Sequence, residues 1–274
     1  MKLRQWPMVP AWVVMLVISG SMVYPVLFVV FSALKSTSEY TQNPMGIPLE
    51  PSLETLVDVW TRGGLGQAIL VSLGVTALAV VLVGVGASLA GWALGALAFP
   101  GKRAVRGAVI MLMLLSPTVL IVPIFGVTRD LGLINHPLGL VLVYASLHLP
   151  FATYLISSYA QSVPGALIEA AQVDGASPRR AFWSVGFPLL RPGVLTVSTL
   201  SFLWIWNELL FGLIILQKPG MRTVQVAVAT LQGRLGTPVP ELAAGMLISM
   251  VLPLLVFMAF QRNIAEGLVA GSLK

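Results

Sequence analysis

Residues 8–34 run for 27 positions without an Asp, Glu, Lys or Arg, and residues 63–101 run for 39. A helix needs about 20 predominantly apolar residues to cross the hydrocarbon core of a bilayer. Either stretch is long enough, and only 9% of the 274 residues are charged, where soluble domains average about 25%. The chain therefore reads as an all-α integral membrane protein. Lys2 and Arg4 before the first stretch resemble the start of a signal peptide. That stretch is too long for the apolar region of one, and no small-residue cleavage site follows it. It reads as an uncleaved first span.

Six spans are predicted, at about 9–32, 68–97, 107–127, 138–159, 192–216 and 242–260, in a single transmembrane domain covering 1–274. Glycines in the second (Gly74, Gly84, Gly86, Gly91, Gly95) permit close helix approach in lipid. Six spans place both termini on one side. That side carries Lys2, Arg4, Lys102, Arg103, Arg106, Arg179, Arg180, Arg191, Arg262 and Lys274. The other side carries Lys35, Arg62, Arg129, Lys218, Arg222 and Arg234. Basic residues near span ends mark the cytoplasmic face, so both termini are expected in the cytoplasm. The net charge of +6 is thus read as membrane orientation and not as affinity for nucleic acid.

The polar loop at 160–191, between spans four and five, is the most patterned stretch. Pro164 suits the start of a helix, where its missing N–H costs nothing. Asp174-Gly175 stops that helix near Val173, with glycine free to adopt a left-handed cap. Ser177 caps a second helix with Pro178 at its first position, predicted to end before Pro188. Leu167, Ala170 and Ala171 share one stripe of the first helix, and the two alanines leave a face that another protein can approach closely. Phe182, Val185 and Gly186 form a stripe on the second, beside Trp183 and Phe187.

Glu169-Ala170-Ala171, Gly175, Val185, Phe187 and Pro188 are spaced as in the EAA loop of ABC-type import permeases, which this segment resembles; the one departure is Phe187, where leucine is usual. The resemblance implies that the loop is a cytoplasmic coupling helix docking on an ATP-hydrolysing subunit, with Glu169, Ala170, Ala171, Asp174, Gly175, Phe182 and Pro188 as its coupling residues. From about Leu65 onward the chain is similar to the carbohydrate-type permeases, in particular the partner without a large added domain. The Trp-Asn-Glu stretch at Trp206-Asn207-Glu208 and the tail from Gln261-Arg262 through Gly267, Gly271 and Lys274 carry that likeness. It implies a heterodimer with a second permease, two ATP-binding subunits and an extracytoplasmic solute-binding protein, in surrounding lipid of a bacterial or archaeal plasma membrane. Glycerol-phosphate importers share these patterns.

Chemistry of the chain's own is sparse. No cysteine is present, and His136 and His148 are the only histidines. No Gly-x-x-x-x-Gly-Lys-Ser/Thr loop occurs to cradle phosphates. The chain is expected to be non-catalytic and to hold no cofactor or metal, with ATP and magnesium on a partner ATPase. The clearest polar group inside the membrane is Glu208. A carboxylate there is costly unless it faces a cavity or a partner. Continuous helix would place Trp204, Asn207, Glu208 and Phe211 on one face, where rings stack on a sugar and polar groups bond its hydroxyls; the competing reading is that Asn207 and Glu208 hold helices together. Among other classes, a secondary transporter would show ion ligands on broken helices, and an integral-membrane enzyme would need convergent acid, base or metal groups.

Overall fold

In the computed structural model, which describes residues 8–232 and 236–272, every regular element is helical. The chain runs α1 (Met8–Ala33), α2 (Thr37–Gln42), α3 (Glu54–Thr61), α4 (Leu65–Ala96), α5 (Lys102–Leu114), α6 (Ile121–Asp130) and α7 (Pro137–Gln161). It continues through α8 (Gly165–Val173), α9 (Pro178–Ala181), α10 (Phe187–Trp206), α11 (Leu210–Ile215), α12 (Val224–Gln232) and α13 (Val239–Ser272). Lys2, Arg4, Arg234 and Lys274, which enter the charge comparison, lie outside the described residues.

Five helical stretches are long and apolar enough to cross a membrane: Trp12–Ala33, Leu65–Ala96, Pro137–Gln161, Pro178–Trp206 and Val239–Asn263. The third expected span, 107–127, is not one helix. It is divided between α5 and α6, and Leu115 turns out of helix to ψ 123°. Pro117 explains the break, since it supplies no N–H and pushes its predecessor Ser116 toward extended backbone. The fifth expected span, 192–216, is also corrected. Helix starts at Pro178, stops at Trp206, and resumes only at Leu210.

Pro188 does not end the helix that begins at Pro178. Residues Phe182–Gly186 widen into a π-helical turn, in which the Phe187 N–H reaches back to the Phe182 carbonyl. The wider turn makes room where a proline ring would otherwise strike the carbonyl four residues back. The chain therefore passes from the loop into α10 without a joint.

The chain divides into two compact units. One comprises residues up to Gly66 together with Ala227–Val251. Its core gathers Ala33, Val59, Leu65, Val228, Leu231, Ala243 and Ala244. Lys35 is 1% exposed within it, and its ammonium donates to the carbonyls of Asn43 and Gly46 at 2.6 Å each. Those two bonds tie the segment after α2 to the end of α1, so the cation is hydrogen-bonded where burial would otherwise be costly.

The other unit comprises Gln67–Val226 and residues from Leu252 onward. One of its cores packs Val75 and Ala79 of α4, Leu140 and Tyr144 of α7, and Phe211 and Ile215 of α11. A second packs Val83, Ala87 and Trp92 against Ile156 and Ala160 of α7 and Phe182, Leu190 and Val197. Gly91 and Gly95 let α4 meet α7 backbone to backbone. A Cβ on Gly91 would lie 2.6 Å from Ile156 Cγ2, and one on Gly95 would overlap Ala160 Cβ and the Ser157 carbonyl.

Candidate functional site

The loop between α7 and α10 folds as a helical hairpin. After α8 the Asp174 N–H bonds the Ala170 carbonyl and the Ala176 N–H the Ala171 carbonyl. Gly175 sits between them with φ +77°, a left-handed conformation that glycine adopts without the Cβ clash other residues meet. Ser177 begins the second arm, its Oγ accepting the Arg180 N–H at 3.4 Å. Pro178 follows at the first helical position.

The hairpin has an open face and a closed one. Leu167 (45% exposed) stays uncovered, as do Glu169, Ala170 and Asp174, while Ala171 is half-buried. Glu169 and Asp174 form no ion pair among the described residues. Phe182 differs from these, being only 5% exposed. Its ring packs on Trp92 of α4 at 5.9 Å between centroids, with Trp183 and Phe187 on its other sides. Phe182 thus anchors the hairpin to the helical body instead of facing outward. Pro188 is half-buried at the end of the π turn.

The second feature is a cavity of about 880 Å³. Trp204, Asn207, Glu208 and Phe211 all border it, although they do not share a continuous helix face. Helix ends at Trp206, and Asn207 caps it with its Nδ2 donating to the Leu203 carbonyl at 2.7 Å. Glu208 lies in the break and caps the next helix. Its Oε1 accepts the Phe211 N–H at 3.0 Å, and its Oε2 accepts the Gly212 N–H at 3.2 Å and the Tyr144 hydroxyl at 2.7 Å. Those donors would otherwise be orphans at a helix start. Most of the carboxylate's accepting capacity is therefore spent inside the chain. Phe211 is 1% exposed and offers the cavity little surface.

Sequence spacing around residue 204 missed the cavity's other wall. Tyr144, His148 and Phe151 of α7 stand at i, i+4 and i+7, one face of a helix. His148 and Phe151 bring their rings to 5.4 and 5.2 Å from that of Trp204, which remains 48% exposed. Polar aromatics at that interval within an apolar helix are the signal that would have located them. Among the described residues no three His, Cys, Asp or Glu side chains converge as a metal site would require.

Long apolar helices, an exposed helical hairpin and an aromatic-walled cavity in the helical body define a multi-pass membrane protein built for transport. Residues 87–269 match the family of binding-protein-dependent transport system inner membrane components, and the chain belongs to that family. It is 32% identical over 258 residues to the trehalose transport system permease protein SugB of Mycobacterium tuberculosis, covering 93% of each chain. It is also 32% identical to the osmoprotective compounds uptake permease protein GgtD of Synechocystis, covering 100% of this chain and 94% of that one. A chain in the crystal structure of a bacterial ABC transporter that imports the acidic polysaccharide alginate superposes with TM-score 0.81 at 19% identity, covering 96% of this chain and 99% of that chain. At that identity the likeness speaks for the fold. The protein is thus a multi-pass inner-membrane transport component, not a catalyst.

Proposed function

We propose that this chain is one of the two membrane-spanning halves of an ATP-driven ABC importer for a sugar or related polyol handed over by a solute-binding protein. It forms a single permease domain and pairs with a second permease and two ATP-binding subunits, which hold ATP and magnesium; the chain itself needs no cofactor. The broken pair α5 and α6 makes the third of six crossings, and both termini lie in the cytoplasm of a bacterial or archaeal cell. The names of the relatives support the substrate class.

The observation that carries the reading is the hairpin at 160–191. Its face at Leu167, Glu169, Ala170 and Ala171 is open to an ATPase, with Asp174 and Gly175 setting the turn. Its second arm runs unbroken into α10 and is pinned to α4 through Phe182 on Trp92. A displacement imposed on α8 therefore reaches two spans as rigid-body motion, the kind of two-state change that coupling requires. Closing of the ATPase pair tips the helices to receive solute from outside, and reopening passes it inward. Trp204 and Asn207 meet the solute in the cavity, while Glu208 holds the helix break that shapes it.

Purification in detergent tests this reading. An ATPase should copurify, and its hydrolysis in proteoliposomes should rise when a sugar-loaded binding protein is added. A chain that moves solute alone, driven by an ion gradient, would overturn it.

A further inference from the structure

We propose that the turn joining α4 to α5 is a binding site for an anionic phospholipid, with the headgroup in a basic pocket and an acyl chain in the groove beside it. The inference rests on the chain spanning a membrane and not on what it transports.

The pocket comes first. α4 ends at Ala96, and α5 begins immediately after Gly101, whose φ of +83° turns the chain back. Lys102, Arg103, Arg106 and Phe99 border a cavity of about 500 Å³ there. The Lys102 ammonium donates to the Leu97 carbonyl at 2.8 Å and so closes the end of α4. Arg103 and Arg106 are not used in this way. Among the described residues neither guanidinium has a hydrogen bond or an ion pair. Two unpaired planar forks on one pocket suit an anion with several oxygens.

The groove decides which anion. Phe99 also borders a second space of about 270 Å³, walled by Val105, Val109 and Leu112 of α5 and by Leu94 and Leu149. Val105, Val109 and Leu112 stand at i, i+4 and i+7, one apolar stripe of α5. Phe99 is therefore common to a cationic pocket and an apolar groove. A free phosphate has no use for the groove, and a neutral lipid has no use for the two arginines. A phospholipid with net negative charge uses both. The position suits it, since the arginines follow directly on a charge-free span, at headgroup depth. Basic pockets between spans on the cytoplasmic side hold acidic headgroups.

The test uses the full-length protein with whatever subunits copurify with it, in nanodiscs of phosphatidylcholine alone or mixed with phosphatidylglycerol. Native mass spectrometry reads the lipid retained after detergent extraction. Phosphatidylglycerol should be retained in preference. The R103Q/R106Q variant should lose that preference by about 25-fold, at roughly fivefold per arginine. R191Q/R262Q removes equal charge elsewhere and should keep it. Val109→Trp, which fills the groove, should lower retention although both arginines remain. Equal retention of the two lipids by the unaltered protein would overturn the proposal and needs no variant to fold. So would an equal loss in R191Q/R262Q, which reports only the general field of the surface. Displacement by inorganic phosphate would assign the pocket to a free anion, and undiminished retention in Val109→Trp would remove the acyl chain.

Discussion

The Tyr144 hydroxyl donates to the Glu208 carboxylate across 2.7 Å, linking the interior of α7 to the break between α10 and α11. The same carboxylate caps α11 through the N–H groups of Phe211 and Gly212. One acidic side chain thus holds two helix ends and a neighbouring helix in a fixed relation. Tyr144→Phe removes a single donor and should cost about 2 kcal/mol, the worth of a hydrogen bond to a charged group. Glu208→Ala orphans three donors and should cost more. Thermal midpoints in detergent should fall in that order. Wild-type stability of Glu208→Ala alongside lost transport would return Glu208 to direct solute contact.

Trp204 and Asn207 face the cavity without holding the two helices together. Trp204→Ala and Asn207→Ala should leave the yield of assembled complex near that of the wild type while lowering solute uptake. Uptake per assembled complex is the quantity to measure. Unchanged uptake in both variants would place the solute path elsewhere.

The hairpin is the proposed seat of coupling. A side chain at Gly175 meets the left-handed penalty of roughly 1–2 kcal/mol, and a bulky acid at Ala171 blocks close approach of a partner. Ala171→Glu and Gly175→Val should therefore insert normally yet abolish the rise in ATP hydrolysis caused by solute and binding protein. Full stimulation at equal ATPase occupancy would remove the hairpin from that role.

Gly95 and Gly74 lie on the same helix in opposite surroundings. A Cβ at Gly95 would overlap Ala160, while nothing lies within 4 Å of one at Gly74. Gly95→Ala should destabilise the protein by about 1–3 kcal/mol, the usual cost of overpacking, and Gly74→Ala should not. The detergent thermal midpoint separates them. Equal midpoints would mean that α4 and α7 can part without cost.

Topology can be read with reporter fusions after residues 50, 104, 133, 176 and 228. The expected order is out, in, out, in, out, from the excess of basic residues on the terminal side. A cytoplasmic signal at 228 would break the six-span arrangement, and a failure to alternate between 104 and 133 would mean that α5 and α6 do not cross.

The long helices were legible because an uncharged run of that length admits few other structures. The hairpin was legible because Pro164, Gly175, Ser177 and Pro178 each act on the backbone locally. The break at 207–209 was not. No proline or glycine lies between Trp206 and Leu210, and the break is held by Glu208 together with Tyr144, 64 residues earlier. Helical spacing across 204–211 therefore described a helix that tertiary hydrogen bonds interrupt. Pro188 misled in the other direction. Its local rule forbids an ordinary α-turn there, but a widened turn satisfies that rule without ending the helix.

That widened turn at Phe182–Gly186 carries one residue more than an α-turn would. Each residue of an α-helix advances the face by about 100°. Loss of any one residue between Phe182 and Gly186 would restore regular winding and rotate everything downstream by that angle. Leu190 and Val197, now fully inside, would swing out toward the bilayer, and Arg191 would swing with them. Length in this segment is therefore more tightly constrained than residue identity. Related chains are expected to vary freely in sequence there while carrying neither insertion nor deletion.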